Sequence, residues 1–126
     1  MRVLTRAESD DLFAAHLAWV EVMIDTGVIQ FATHPLERMF GYGLSGELEG
    51  LTIEALLPSG VREVHAKTHR THFADDPTPR MMGRSAKLQG QRKDGSVFPV
   101  EVMLLPKAVN RVRVVVALVF DMSERV

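Results

Sequence analysis

Apolar and polar residues change their spacing several times along the chain, and each change marks an element. Thr5-Arg6-Ala7-Glu8 has the form of a capping box, with a hydroxyl at the helix N-cap and a carboxylate three residues on. Behind it Leu12, Phe13, His16, Leu17 and Val20 recur at helical spacing, which predicts an amphipathic helix over about 6–17. Residues 19–24 and 28–32 are β-rich runs on either side of Asp25-Thr26-Gly27, so they are expected to form a hairpin. His34-Pro35 then opens a short helix, since proline suits a first helical turn. Leu36, Met39 and Phe40 give it an apolar face, and Gly41-Tyr42-Gly43 stops it.

Further short helical pieces are expected around 45–48 and 52–57. Pro58-Ser59-Gly60 breaks the chain and offers Ser59 as N-cap to a longer helix over about 60–73. Residues 74–79, rich in Asp and Pro, read as a loop. After it the pattern predicts strands over about 81–92, 96–105 and 111–121, with a loop at 106–110. Asp94-Gly95 between two such runs is a strong hairpin signal. The last run is nearly continuously apolar, as in a central strand buried on both faces, or on one with a partner over the other. The order describes an α+β domain: one five-stranded antiparallel sheet with short helices and one longer helix packed on one face. No internal repeat or low-complexity tract divides it.

Composition narrows the function classes. The 126 residues suffice for one domain, and 15 Lys+Arg against 16 Asp+Glu leave a net charge of -1. Such a balance provides no bulk field for nucleic acid or anionic lipid, so neither is an expected partner. The chain has no cysteine, which excludes disulfides, thiolate metal sites and cysteine nucleophiles. The N-terminus lacks an apolar signal region, and no window approaches the ~20 apolar residues of a spanning helix. A soluble, cytoplasmic protein is the expectation.

Several segments together resemble the PAS domain family, above all the PAS domains of bacterial sensor kinases. Asp25-Thr26-Gly27-Val28-Ile29 looks like the first PAS hairpin. His34-Pro35-Leu36-Glu37-Arg38-Met39-Phe40-Gly41-Tyr42 resembles the family's N-P-A-x-x-x-F-G-Y segment, with His34 where Asn is usual. Glu47-Leu48-Glu49-Gly50, Leu57-Pro58 and Arg62-x-x-His65 follow in the family's order. Gly90-Gln91-Arg92-Lys93-Asp94-Gly95-Ser96-Val97-Phe98-Pro99-Val100-Glu101 is similar to G-x-R-K-D-G-S-x-F-P-V-E, and Asp121-Met122-Ser123-Glu124-Arg125 to the D-I-T-E-R ending. The resemblance covers about 20–126. It implies a sensory domain that holds a small ligand between sheet and helices, or mediates dimerisation, and relays a signal to an effector. On this basis 1–17 is a dimerisation helix, 18–121 the PAS core and 122–126 the start of a linker. The chain would be a segment of a larger signalling protein or a stand-alone PAS protein.

Arg62, His65, His69 and His72 fall within about 80° of one another on one helix face. Three readings stand side by side. The histidines are solvated or packing residues; or His65 is the axial ligand of a haem; or His65 and His69, with His72, hold a bare metal ion. The haem reading comes from the resemblance, because oxygen-sensing haem PAS domains ligate iron through the histidine of Arg-x-x-His. Those sensors place an arginine where this chain has Ala86, and Arg84 lies about 7 Å away on the same strand face. A flavin adduct of the light-oxygen-voltage type needs a cysteine and is excluded.

Candidate cavity residues are His65, Arg84, Ala86, Leu88, Val102 and Leu104, with Phe31, Met82, Val100 and Val116 as further apolar lining. No catalytic set appears: nucleophile elbow, phosphate loop and paired carboxylates are all missing. Leu12, Phe13, Leu17 and Val20 are the expected contacts of a homodimer. Asp121, Ser123 and Arg125 are the expected relay to whatever follows.

Overall fold

The computed structural model describes residues 17–83 and 87–123. The helix expected over 6–17, with Leu12 and Phe13, lies outside the described residues, as do Arg84, Ala86 and Arg125. The sheet consists of β1 (Trp19–Met23), β2 (Ile29–Ala32), β3 (Arg80–Met82), β4 (Leu88–Gln91), β5 (Val97–Val109) and β6 (Val112–Asp121). Its order is β2-β1-β6-β5-β3, with β4 also paired to β5, and every pairing is antiparallel.

There are six strands rather than five because the run expected over 81–92 divides. Met82 pairs with Val102 and Leu88 with Val100, so the two pieces meet β5 on either side of Glu101. The break begins at Gly83, whose φ is +100°. A Cβ there would lie 2.6 Å from the carbonyl oxygen of Val100, so only glycine fits. Further along, 106–110 is not a loop. β5 continues through Pro106, paired with Val115, to a two-residue turn at Asn110 and Arg111 with φ of 51° and 67°. Two left-handed residues match the twist of the flanking strands. Past Leu104, β5 has β6 as its single partner, which is where a strand tolerates proline.

Alternation sets the two faces. Val20, Val22, Val100, Val115, Ala117 and Val119 are buried inward, whereas Phe31, Leu105 and Phe120 remain exposed on the other side. Val20 is therefore not a dimer contact on a helix: it is fully buried in β1, because the strand starts at Trp19 and the period of two turns Val20 inward. Phe31 and Val116 are likewise not cavity residues. Phe31 pairs with Glu21 and Val116 with both Glu21 and Leu105, on the outer face. β6 thus buries Val115, Ala117 and Val119 on its inward face and leaves Val116, Leu118 and Phe120 partly or fully exposed on the other.

Helix α1 (His34–Met39) opens at His34-Pro35 as expected, with Thr33 as its N-cap and the proline in its first turn. The Thr33 hydroxyl accepts from the Leu36 amide at 3.3 Å and donates to the Leu17 carbonyl at 2.7 Å, tying the helix to the lead-in of β1. Glu37, almost fully buried, accepts from the Gly46 amide at 2.8 Å and faces His34 Nδ1 at 3.0 Å. This holds residues 45–50, which form successive turns rather than the expected helix, since Gly46 and Gly50 have φ of 79° and 89°. A 3-10 turn follows at Ile53–Leu56. The long helix α2 spans 59–75: a 3-10 start (Ser59–Val61), an α turn, a π segment (His65–His69) and a final α segment (Arg70–Asp75). Ser59 is its first residue, not its cap; that position belongs to Pro58.

The Asp94-Gly95 hairpin forms as expected. Arg92 donates its amide to the Ser96 carbonyl at 2.8 Å, and Gly95 takes φ +92°. The hairpin is fastened to α1 by the Lys93 amide on the Phe40 carbonyl at 2.9 Å and by Arg92 Nε on the Met39 carbonyl at 3.3 Å. Beneath it the Phe40 and Phe98 rings meet edge to face, centroids 5.0 Å apart.

Two tests follow from this packing. A Cβ on Gly90 would sit 2.8 Å from the Phe40 ring, so Gly90→Ala lowers stability by about 1–3 kcal/mol in urea denaturation. Unchanged stability would contradict the close approach. The Asp94 carboxyl is held below its ordinary range by the Ser96 hydroxyl and then the Ser96 amide. A lowered folded-state value means that its stabilisation is present above about pH 3.9 and lost as pH falls through that lowered value. Asp94→Ala therefore reduces Tm at pH 7, and the gap from wild type closes below about pH 4. A gap independent of pH would assign the loss to backbone preference instead.

Candidate functional site

The inward face of the sheet meets α2 near the helix end, where Phe73 and Ala74 pack against the core. Between sheet and helix lies a cavity of about 380 Å³, floored by Val20, Val22, Val100, Val102, Ala117 and Val119. Its volume is near the small end of the ~300–1,000 Å³ typical of small-molecule sites. Although α2 lies over this apolar floor, none of its residues is fully buried, and Val61 and Val64 are 48% and 55% exposed. A helix beside an apolar sheet ordinarily buries an apolar stripe. Here Phe73 and Ala74, near its end, are the partly buried apolar residues that pack against the core.

Polar ties hold the helix instead. Glu54, on the 3-10 turn and nearly buried, accepts from Arg70 Nη1 at 2.8 Å through one carboxylate oxygen and pairs with His65 Nδ1 at 2.6 Å through the other. Arg62 Nε donates to the Leu57 carbonyl at 2.9 Å. At the far end Arg113 donates to the Ala74 carbonyl at 2.8 Å and pairs with Asp25. That pairing holds the Asp25 carboxyl below its usual range. Arg70 can reach Glu54 because Gly27, at φ +75°, leaves room for it: a Cβ on Gly27 would lie 1.9 Å from Arg70 Nη1.

The expected site residues distribute as follows. His65, Leu88, Val102 and Leu104 all line the cavity, as do Met82 and Val100. Arg84 and Ala86 lie outside the described residues. His69 and His72 also line it, and the His65 and His69 rings have centroids 6.0 Å apart. Among the described residues no group of three or more His, Asp or Glu side chains comes together as a metal cage. The His65 pairing occupies Nδ1, which leaves Nε2 as the nitrogen for a ligand, the geometry of an axial histidine. Around His65 the described lining is largely aliphatic, with His69, Arg70, His72 and Arg80 as its basic side chains.

Sequence reasoning missed Glu54, Arg70, Phe73 and Arg80. Glu54 had a faint signal, a carboxylate in the otherwise apolar stretch Ile53-Glu54-Ala55-Leu56-Leu57. Arg70 sits five residues beyond His65, a spacing that falls on one α-helical face poorly. The π segment, in which the Arg70 amide bonds the His65 carbonyl, accommodates that spacing, so both side chains reach Glu54.

The relay residues are partly placed. Asp121 accepts from the Ser123 amide at 2.9 Å and the Ser123 hydroxyl at 2.5 Å. The Arg92 guanidinium stands 3.8 Å from Asp121, and it also covers the Phe98 ring at 4.0 Å.

Removing the clamp tests its role. Glu54→Ala lowers stability by about 2–4 kcal/mol, because two partners lose a nearly buried carboxylate. Hydrogen exchange in 59–75 then rises more than in β5 and β6. Equal loss of protection throughout the domain would show that Glu54 serves the core generally, not the helix.

No protein-family model matches the chain. An uncharacterized protein of Azorhizobium caulinodans is 27% identical over 133 residues, 98% of this chain and 18% of that protein. A probable serine/threonine-protein kinase of Dictyostelium discoideum is 32% identical over 76 residues, 60% of this chain and 5% of that protein. The chain thus spans less than a fifth of either relative. Solved structures match it more fully. The PAS domain of a Colwellia psychrerythraea protein superposes with a TM-score of 0.75 at 17% identity, over 94% of this chain and 98% of that one. The PAS domain of an HTR-like protein from Haloarcula marismortui gives 0.70 at 20% identity, over 91% and 93%. A PAS domain from a two-component sensor histidine kinase gives 0.67 at 16%, over 92% and 99%. At such identities the likeness speaks for the fold, and with the sheet order and the helical block around the cavity it identifies this chain as a PAS-fold domain.

Proposed function

We propose that this domain is a non-catalytic sensor that holds a small molecule between its sheet and α2 and reports occupancy to an attached effector. The observation that carries this is α2 itself, a helix with no fully buried side chain suspended over an apolar cavity of about 380 Å³. A guest that fills the space supplies the packing the helix lacks, so binding and helix order are coupled. Relatives of which the chain spans 18% and 5% are consistent with a module inside larger proteins, and solved neighbours include a sensor histidine kinase domain. No helix among the described residues is long and apolar enough to cross a membrane. A cytoplasmic setting is part of the proposal.

The relay runs through the strand that floors the cavity. Val100 and Val102 line it, and in the adjoining ladder Val100 pairs with Asp121, whose carboxylate faces Arg92. Asp121 and Ser123, with Arg125 beyond, are the proposed output.

A dimerisation role has separate support. Trp19, Phe31, Leu105, Leu118 and Phe120 share the outer sheet face, and the Trp19 and Phe31 rings lie 5.1 Å apart. We assign this face, with Leu12, Phe13 and Leu17, to a homodimer.

Filling the cavity tests the sensor reading. Ala117→Leu is expected to raise Tm and to abolish binding of the neutral fluorophore 1-aminoanthracene, which wild type binds with enhanced emission. Failure of wild type to bind the dye, with Tm lowered by the substitution, would indicate a closed core. A Soret band in freshly purified protein, lost in His65→Ala, would overturn the choice of a small guest over haem. For the dimer, Leu12→Glu with Phe13→Glu should sediment as a monomer; an unchanged profile would remove that assignment.

A further inference from the structure

From the ring of groups around the cavity mouth we infer that the guest is an anion with an apolar body, a small monocarboxylate in chemical class. The inference rests on the sensor reading above and adds the identity of the ligand's polar end. The cavity floor is aliphatic, but its ionisable lining is of one sign. His65, His69, Arg70, His72 and Arg80 contribute to it, and no acidic side chain lines it among the described residues. His65 and Arg70 are half-buried and already engaged by Glu54. His69, His72 and Arg80 are exposed at the mouth and form the outer ring.

Arg80 is held over that mouth rather than left to wander. Its guanidinium lies 5.3 Å from the centroid of the Phe73 ring, itself a lining residue, and Nη2 donates to the Thr78 hydroxyl at 3.1 Å. A guanidinium has five N–H donors in a planar fork, so these contacts leave donors for a carboxylate. The basic side chains come from two elements, α2 and β3, which meet where the Arg80 guanidinium lies over the Phe73 ring. Such a division of surface, aliphatic within and cationic at the rim, complements a molecule with an alkyl or aryl body and one terminal negative charge. A neutral hydrocarbon would use the floor and ignore the rim. A cation would meet the Arg80 guanidinium with no carboxylate in the described lining to offset it.

Calorimetric titration of the whole chain with octanoate, 1-octanol and octylamine separates these cases, because the three share one alkyl body. Octanoate should bind about tenfold more tightly than octanol, equivalent to about 1.4 kcal/mol. Octylamine should bind more weakly than octanol. In Arg80→Met with His69→Gln, both at exposed positions, octanoate should fall to the octanol level while octanol is unchanged. Equal affinity for octanoate and octanol, or a double variant that retains the preference, would overturn the anionic class and leave the small-molecule reading standing. Binding of none of the three would sink both together.

Discussion

One nearly buried carboxylate sets the geometry of this domain. Glu54 divides its two oxygens between His65 and Arg70, one ligand on each side of the π segment of α2. Charge-assisted bonds in a partly dry setting are short and directional, so they fix a helix at a distance as apolar packing cannot. Apolar contact would draw α2 onto the sheet and close the space. The carboxylate instead holds it off, with Arg62 and Arg113 bracing the two ends through backbone carbonyls. Over the cavity the helix is held by these polar bonds, and Phe73 and Ala74 supply its apolar packing near the end.

That arrangement divides the domain into a stiff half and a soft half. The sheet and α1 share a core in which Val20, Leu36 and Leu48 are fully buried, and the Asp94-Gly95 hairpin is tied into it by the Arg92 side chain on the Met39 carbonyl and the Lys93 amide on the Phe40 carbonyl. The α2 side has few buried apolar contacts and depends on bonds between charged groups, which places it at the low end of local stability. The cavity is lined from both halves. The stiff half also includes the end of β6, where Val100 pairs with Asp121 and the Arg92 guanidinium stands 3.8 Å from its carboxylate.

The break in the sheet edge belongs to the same logic. At Gly83 the strand that would have covered β5 without interruption leaves it, and β3 and β4 resume as separate pieces. Met82 and Leu88, on either side of the break, both line the cavity, as does Arg80 at the mouth.

Local chemistry in the sequence was enough for the order of elements, the two glycine hairpins, the helix stop at Gly41 and a cavity wall containing His65, Leu88, Val102 and Leu104. These depend on turn residues and on periods of two and 3.6, which neighbours along the chain determine. It went astray where a one-residue choice of register decides the face: Phe31 and Val116 point away from the cavity, and Val20 belongs to its floor rather than to a dimer helix. Pro106 read as a loop because a proline's acceptability depends on which edge of a strand is open, and that is known only after the sheet is assembled. The Glu54 clamp was hidden for a related reason. It joins residues 11 and 16 positions apart through a local π segment, and no periodic pattern announces a bond whose partners are brought together by the fold itself.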